Sequence, residues 1–567
     1  MNRRDRRAAA KASRKGPDKA GLDTTGLNKA VLNPTGFNKA GPAKPEYLAG
    51  LATTLQQQGQ FEQALQVLDK ALQLKPDDAE LWRQLGDILV QLARYDEALL
   101  SFRRVLTLDP RHPDALYKSG ALLNQFGRYA EAIAQLDLCC EVLPNHAPTR
   151  QARARTLYNL NRWEESVAEG RRAHQLEPGN AVTCNNIGTA LRRLGRDEEA
   201  LGWFDKALDI SVSVEALDNK IGSLTQLHRF DEIFAAYDRA KRLGLNSATT
   251  EWNVSLAHLL TGDLAAGWPG HGARLKLPSA RYPKFPQPMW LGEQDILGKT
   301  ILICADEGLG DTIQFVRYVP MLAQRGARVV LAVQDPLHGL LSGMTGVSQC
   351  VPLSAVGQLP AFDLHCPVSS LPLAFDTRLD TIPSATSYLP SAAESRVRAW
   401  DDRLSRRTGL RVGLVWSGSR THPYDHNRSI PLRTLSAILD VDATFVSLQK
   451  DLRPDDAAVL RERGDIVDPT ADLADFSDTA ALVSCLDLVI TVDTSVAHLA
   501  GALGRPTWIL LPHTPDYRWL LNRDDSPWYP TVRLFRQTTA GTYADVLERV
   551  RAELAREIAA RGTAVHR

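Results

Sequence analysis

The segment Asp306-Glu307-Gly308-Leu309-Gly310-Asp311-Thr312 sets three carboxylates beside two glycines. A carboxylate can take the proton of an attacking hydroxyl, and glycine lets backbone come close to a ligand. Asp311 is the candidate general base, with Asp306, Glu307, Gly308, Gly310 and Thr312 as an acceptor-side loop around it. The plainer reading of Asp311 is a helix cap. A second cluster, Trp416-Ser417-Gly418-Ser419, is followed by His422, Asp425, Arg428 and Ser429. Small residues with exposed backbone donors, backed by a guanidinium fork, suit a phosphate or diphosphate. The alternative there is a solvated surface loop. The third and most specific cluster is Thr491-Val492-Asp493-Thr494-Ser495-Val496-Ala497-His498. Asp493 closes an apolar run, and Thr494 and Ser495 open a helix whose unpaired N–H groups and dipole attract an anion. His498, one turn further on, either reaches the same ligand or packs between helices.

Each cluster needs a strand to deliver it. KTILICA (299–305) and RVVLAV (328–333) read as buried strands separated by the helix QFVRYVPMLAQRG. RVGLVW (411–416), TFVSL (444–448), LDLVITV (486–492) and TWILLP (507–512) repeat the scheme. Strand–helix alternation predicts parallel sheets, and a break near 385–411 divides them into two. Ligands of such sheets bind at the carboxyl ends of strands, where all three clusters fall.

Upstream the chain is self-similar at a 34-residue spacing, the period of helix–turn–helix tetratricopeptide repeats. In the clearest unit Trp82, Leu85, Gly86, Leu89, Tyr95, Ala98, Phe102, Val105 and Pro110 fill the small, large and helix-ending positions. Stepping along by the period finds Gly59, Ala64 and Pro76 before it, then Gly120, Gly127, Leu136 and Pro144, then Ala154, Trp163 and Pro178, then Gly188, Gly195 and Phe204. A sixth, degraded unit runs through Leu227, Phe230, Tyr237 and Ala240. These residues are expected to pack between helices, leaving a concave surface for a protein partner.

The balance of 67 Lys and Arg against 66 Asp and Glu leaves a net charge of +1, which excludes a whole-chain field drawing it to nucleic acid. Seven cysteines form no CxxC pair, which favours a reduced, cytoplasmic chain. No apolar run is long enough to insert in a membrane, and no metal-ligand cluster is visible. Residues 1–45, with Arg3, Arg4, Arg6 and Arg7 and the doubled unit TGLNKA and TGFNKA, read as a disordered basic tail.

At its three clusters the chain resembles the GT-B glycosyltransferases related to bacterial heptosyltransferases (glycosyltransferase family 9), specifically bacterial proteins that fuse tetratricopeptide repeats to such a unit. GLGDT is similar to that family's Gly-x-Gly-Asp loop, which places Asp311 as the acceptor-activating base. VDTSVAHLAGALGRP is similar to its donor segment, which implies Asp493, Thr494, Ser495 and His498 as nucleotide and phosphate contacts. Trp416, Ser417 and Gly418 with Arg428 and Ser429 match the loop closing the other side of the phosphates, and Gln449, beside Lys450, falls where nucleotide contacts are expected. Asp306-Glu307 stands where relatives often carry Glu-Gln, and Tyr424 where an Asn is expected. The resemblance implies two Rossmann-like domains, an acceptor-side one over 291–395 and a nucleotide-sugar one over 396–540, after a repeat solenoid over 46–245 and a connector over 246–290, with a terminal helix over 541–567. It implies metal-independent sugar transfer from a nucleotide-sugar donor, without cofactor, to Ser/Thr hydroxyls of a protein recruited by the repeats. Within the fused group the similarity is to soluble enzymes that glycosylate flagellin with a CMP-linked nonulosonic acid. The alternatives are a heptosyltransferase-like enzyme acting on a lipid-linked glycan, and a repeat scaffold with an inactive transferase module.

Overall fold

The computed structural model of the chain describes residues 44–245, 247–404, 409–421 and 425–565. The expected basic tail lies outside the described residues up to residue 43, as do His422 and Tyr424. Two compact units divide between Ser223 and Leu224.

Among the described residues, twelve helices from Pro45–Gln57 to Phe230–Arg242 form the six repeats of a tetratricopeptide solenoid. The small residues work as the period implies. A Cβ on Gly86 would meet the Phe102 ring at 2.6 Å, one on Gly120 would meet Leu136 at 2.7 Å, and one on Gly188 would meet Phe204 at 2.5 Å. Glycine is therefore what lets the paired helices close to that distance. The turn inside each repeat needs one residue in the left-handed region, and the chain supplies Gly59, Ala93, Gly127, Asn161, Gly195 and His228 there in succession. The next residue donates back to the preceding helix, as in Arg94 N–H to Leu89 O at 2.8 Å and Arg128 N–H to Leu123 O at 2.9 Å. That closure satisfies carbonyls which the helix end would leave orphaned.

The helical part continues past the repeats. Ala248–Thr261 and Leu264–His271 lie in the segment read as a connector, followed by a 3₁₀ turn at Gly272–Lys276. Strand–helix alternation then begins. The first sheet holds β1 (Thr300–Cys304), β2 (Arg328–Val333), β3 (Val347–Pro352) and β4 (Leu364–Pro367), in the order β3-β2-β1-β4 and parallel throughout. The second holds β5 (Leu410–Val415), β6 (Ala443–Ser447), β7 (Leu488–Val492), β8 (Thr507–Leu511) and β9 (Val532–Arg536), in the order β6-β5-β7-β8-β9 and again parallel. The fold is thus a helical repeat solenoid followed by two Rossmann-like parallel sheets.

Two local expectations change. Strands β3, β4 and β9 carry no signal in the sequence reading. The helix expected over 314–326 starts earlier, at Leu309, and is interrupted by a 3₁₀ turn at Val316–Tyr318 before Val319–Gln324. Pro320 opens that second piece because it has no N–H to continue the first.

Both sheets feed one apolar cluster that runs from Trp268 and Trp290 through Ile301 and Phe315 to Ile509, Trp519 and Tyr529. Arg317, only 4% exposed, crosses it. Its guanidinium donates to Pro383 O at 3.1 Å and Trp528 O at 2.7 Å, and sits 4.6 Å from the Tyr388 ring and 4.7 Å from the Tyr529 ring. A buried arginine so enclosed ties a helix of the first sheet to loops around the second.

Candidate functional site

The strand orders locate the site. In the first sheet the chain builds outward through β1, β2 and β3 and then returns to place β4 on the other side of β1. In the second it runs β5 to β6 and returns to place β7 on the other side of β5. Each return is a topological switch point, where the loops leaving adjacent strands part and open a crevice. The acidic cluster follows β1, and the other two follow β5 and β7.

After β1 the chain turns at Gly308, whose extended backbone caps the helix Leu309–Phe315. Asp311 is the third residue of that helix, and its Oδ2 accepts from Gly308 N–H at 2.7 Å. The carboxylate also pairs with Arg518, which in turn reaches Asp516 at 2.7 Å. Thr312 is buried and donates to Gln334 Oε1 at 2.9 Å, while Gln334 Nε2 donates to Glu307 O at 3.0 Å. Asp306 is buried against Arg274, whose Nε donates to its Oδ2 at 2.8 Å, and Ser369 N–H reaches its Oδ1 at 3.1 Å. Glu307 is half-buried. Burial first, and then the Asp311 carboxylate, push its carboxyl up to about 7.

After β5, Trp416 is wholly buried with its indole N–H on Asp456 at 3.1 Å. Gln449 Oε1 accepts from Trp416 N–H at 3.2 Å and Ser417 N–H at 2.9 Å, so its side chain holds the loop in shape. Gly418 N–H donates to Ser429 Oγ at 3.0 Å, and Ser429 donates to Asp425 Oδ1 at 2.8 Å. A Cβ on Gly418 would stand 2.6 Å from Arg428 Nε, so glycine lets the guanidinium lie against the loop. Arg428 Nη1 donates to Asp493 O at 2.9 Å, which joins the second cluster to the third. Ser417 Oγ and Arg428 Nε are buried without a hydrogen-bond partner among the described residues. In solution such atoms are met by water, an ion or a ligand.

After β7, Thr494 adopts the extended conformation of an N-cap and opens the helix Ser495–Ala502. The first amides of a helix have no intrahelical carbonyl to bond, which leaves them for a cap or a ligand. Asp493 is half-buried, and burial followed by the Asp516 carboxylate raises its carboxyl above the ordinary range. His498 is 5% exposed, shares a hydrogen bond between Nδ1 and Tyr529 Oη at 2.9 Å, and stacks on Trp519 at 5.2 Å. Burial first, then Arg518, push its imidazole down to about 3. A Cβ on Gly310 would fall 2.7 Å from the His498 ring and 3.5 Å from Ser495 Cα. Gly310 is therefore where the two switch points touch.

Asp311 pairs with Arg518 and Arg518 with Asp516, whose negative charge bears on Asp493, and Arg428 in turn holds the Asp493 carbonyl. Arg518, Arg274, His271 and Asp516 were not singled out as site residues in the sequence. Arg518 pairs with Asp311 across 207 positions and Arg274 with Asp306 across 32, so no local spacing betrays either. Among the described residues no group of His, Cys, Asp and Glu gathers as a metal ligand set, and no helix is long and apolar enough to cross a membrane.

Comparison with known proteins agrees with this division. Tetratricopeptide repeat models match residues 50–110, 83–139 and 180–215. The model for glycosyltransferase family 9 (heptosyltransferase) matches residues 470–545, which hold β7, β8, β9 and the helix after Thr494. The chain is 27% identical over 320 residues to Protein FlbA of Caulobacter vibrioides, a match covering 52% of each, so it spans about half the length of that curated relative. Among solved structures, YrrB, described as a TPR protein with an unusual peptide-binding site, is 26% identical, with 31% of this chain and 92% of that one covered at a TM-score of 0.30. MamA from Desulfovibrio magneticus RS-1 is 23% identical, with 30% and 97% covered at a TM-score of 0.29. The chain carries tetratricopeptide repeats followed by a domain of glycosyltransferase family 9.

Proposed function

We propose that the chain is a GT-B glycosyltransferase that moves a sugar from a nucleotide donor to a Ser or Thr hydroxyl of a protein held by its repeats. The observation that carries this reading is the meeting of two switch points at Gly310, with carboxylates on one side and unpaired donors on the other. Arg428, Ser417 and the amides opening the helix Ser495–Ala502 would hold the donor phosphates, so their charge is met without a metal. Holding donor and acceptor in one crevice converts a bimolecular step into an oriented one. Asp311 is the residue that the Gly-x-Gly-Asp motif puts forward to take the acceptor proton.

Flagellin and a CMP-linked nonulosonic acid are the acceptor and donor that the resemblance suggests first, in a cytoplasmic setting. The test is the intact mass of flagellin incubated with the chain and that donor, then with UDP-, GDP- and ADP-sugars. The reading expects the acceptor to gain the mass of one or more sugars. An unshifted mass with every donor, or transfer only to a lipid-linked glycan, contradicts it.

A further inference from the structure

Glu307 differs from its two neighbours in how its carboxylate is met. Asp306 has one oxygen on Arg274 and the other on Ser369 N–H, and Asp311 has one on Gly308 N–H and the other on Arg518. A base needs an oxygen free for the incoming proton. Glu307 Oε2 is itself buried and has no hydrogen-bond partner among the described residues, while the side chain as a whole stays 23% exposed through its other atoms. Two donors stop short of it, Arg274 Nε at 3.6 Å and His271 Nε2 at 3.9 Å.

The tautomer of His271 follows from its other nitrogen. A guanidinium has donors only, so Arg274 Nη1, 3.1 Å from His271 Nδ1, makes that atom an acceptor and leaves the proton on Nε2. His271 is 1% exposed, and its Nε2 is buried without a partner, so a buried N–H points toward a partly open carboxylate. Burial keeps the imidazole neutral by pushing its pKa well below the usual value.

We propose that Glu307, rather than Asp311, takes the acceptor proton, with His271 as the residue that positions it. The proposal rests on the glycosyl-transfer reading above. The acceptor oxygen bonds to the anomeric carbon as the bond from that carbon to the phosphate oxygen breaks. The acceptor proton passes to Glu307, and the departing nucleotide keeps the electron pair against Arg428 and the helix amides. Glu307 then returns the proton to solvent. Asp311 holds Arg518 in place and caps its own helix. The groups facing Glu307 are His271 and Arg274 from 264–276, Asp306 and Asp311 from its own loop and helix, and Tyr517 and Arg518 from the turn 517–519. Burial and the acidic neighbours outweigh the two arginines, which brings the carboxyl to about 7, near the pH at which a base works best.

Isotope-edited infrared titration of the ligand-free full chain tests the carboxyl without any substrate. Wild type should show a carboxyl titrating near neutrality, Asp311→Asn should show it at lower pH because a neighbouring negative charge is gone, and Glu307→Gln should lack it. Nucleotide release from UDP-, GDP-, ADP- and CMP-sugars supplies the pH–rate profile. Glu307→Gln should lower kcat by about 10²–10⁴-fold, leave the donor KM unchanged and lose the acid limb. Asp311→Asn should keep the limb but move it to lower pH, and His271→Gln should displace it. Glu307→Asp, which keeps a carboxylate, should keep the limb at a reduced rate and covers the case of a poorly folded Gln variant. A wild type without a carboxyl titrating near neutrality, or an acid limb that survives in Glu307→Gln, overturns the proposal. A wild type inert toward every donor contradicts the glycosyl-transfer reading itself, whereas an active wild type matched by Glu307→Gln contradicts only the role of Glu307.

Discussion

The loop after β1 and the loops after β5 and β7 occupy equivalent places in two parallel sheets, yet their polar groups are used differently. Around β1, Asp306 and Asp311 are paired with the buried arginines Arg274 and Arg518, and only Glu307 is left short of a donor. Around β5 and β7 the groups without a hydrogen bond include Arg428 Nε, 3.7 Å from Asp425 Oδ1, and the Ser417 hydroxyl, beside a helix N-terminus. The β1 side holds an unmet carboxylate oxygen together with the unmet donors His271 Nε2 and Arg518 Nε, and the β5–β7 side holds the unmet Ser417 hydroxyl and Arg428 Nε. Equivalent topology positions a site, and the pairing of its charges decides what each half can do.

The first loop should therefore answer substitution with lost stability. Asp306→Asn leaves Arg274, itself 5% exposed, without its closest countercharge, and removing one partner of a buried pair costs about 3–5 kcal/mol. Chemical denaturation measures it, and a loss below 1 kcal/mol would mean that Glu307 takes over the pairing. The second loop should answer with lost binding. Arg428→Ala should weaken nucleotide affinity by about 10–100-fold, as for a charge-assisted hydrogen bond, with little change in melting temperature. A large drop in melting temperature with affinity intact would make Arg428 a structural strut for Asp493 instead.

Acid and alkali should separate the halves as well. Glu307 binds its proton more readily folded than unfolded, so its contribution to stability is present below the ordinary carboxylate range and is lost as pH rises through about 7. His498 is neutral in the fold, so its contribution is present above about 6.5 and is lost as pH falls toward about 3. Melting temperatures across this range should lose their alkaline decline in Glu307→Gln and part of their acid decline in His498→Gln.

The smallest effect belongs to the repeats and sets a baseline for both loops. Ala93 holds a φ of 56° where other repeats use Gly59, Gly127 and Gly195. Ala93→Gly should stabilise by up to about 1 kcal/mol, and Gly127→Ala should do the reverse, because a Cβ is strained in that region. Neither should change nucleotide release.

How much of this was legible follows from the range of the interactions. Gly86, Gly120 and Gly188 announce themselves because each is followed 16 positions on by a large apolar residue, Phe102, Leu136 and Phe204. Strands β1, β2, β5, β6, β7 and β8 are apolar runs, whereas β3 exposes Ser348 and Gln349, β4 has four residues and β9 carries Arg533 and Arg536. The three site clusters were visible because each lies on one loop. Which carboxylate is paired was not, since Arg274 and Arg518 come from segments whose position only the fold supplies. Gln449 shows the same limit, for nothing in its sequence position tells that its side chain braces Trp416 and Ser417.

Calorimetry of the full chain with CMP, UDP, GDP and ADP, in wild type and in Arg428→Ala, tests the central claim most directly. The account predicts that at least one of these nucleotides binds wild type and binds Arg428→Ala at least about 10-fold more weakly, as loss of a charge-assisted contact implies. Equal affinity in the two proteins, or no binding of any of the four to wild type, would contradict it.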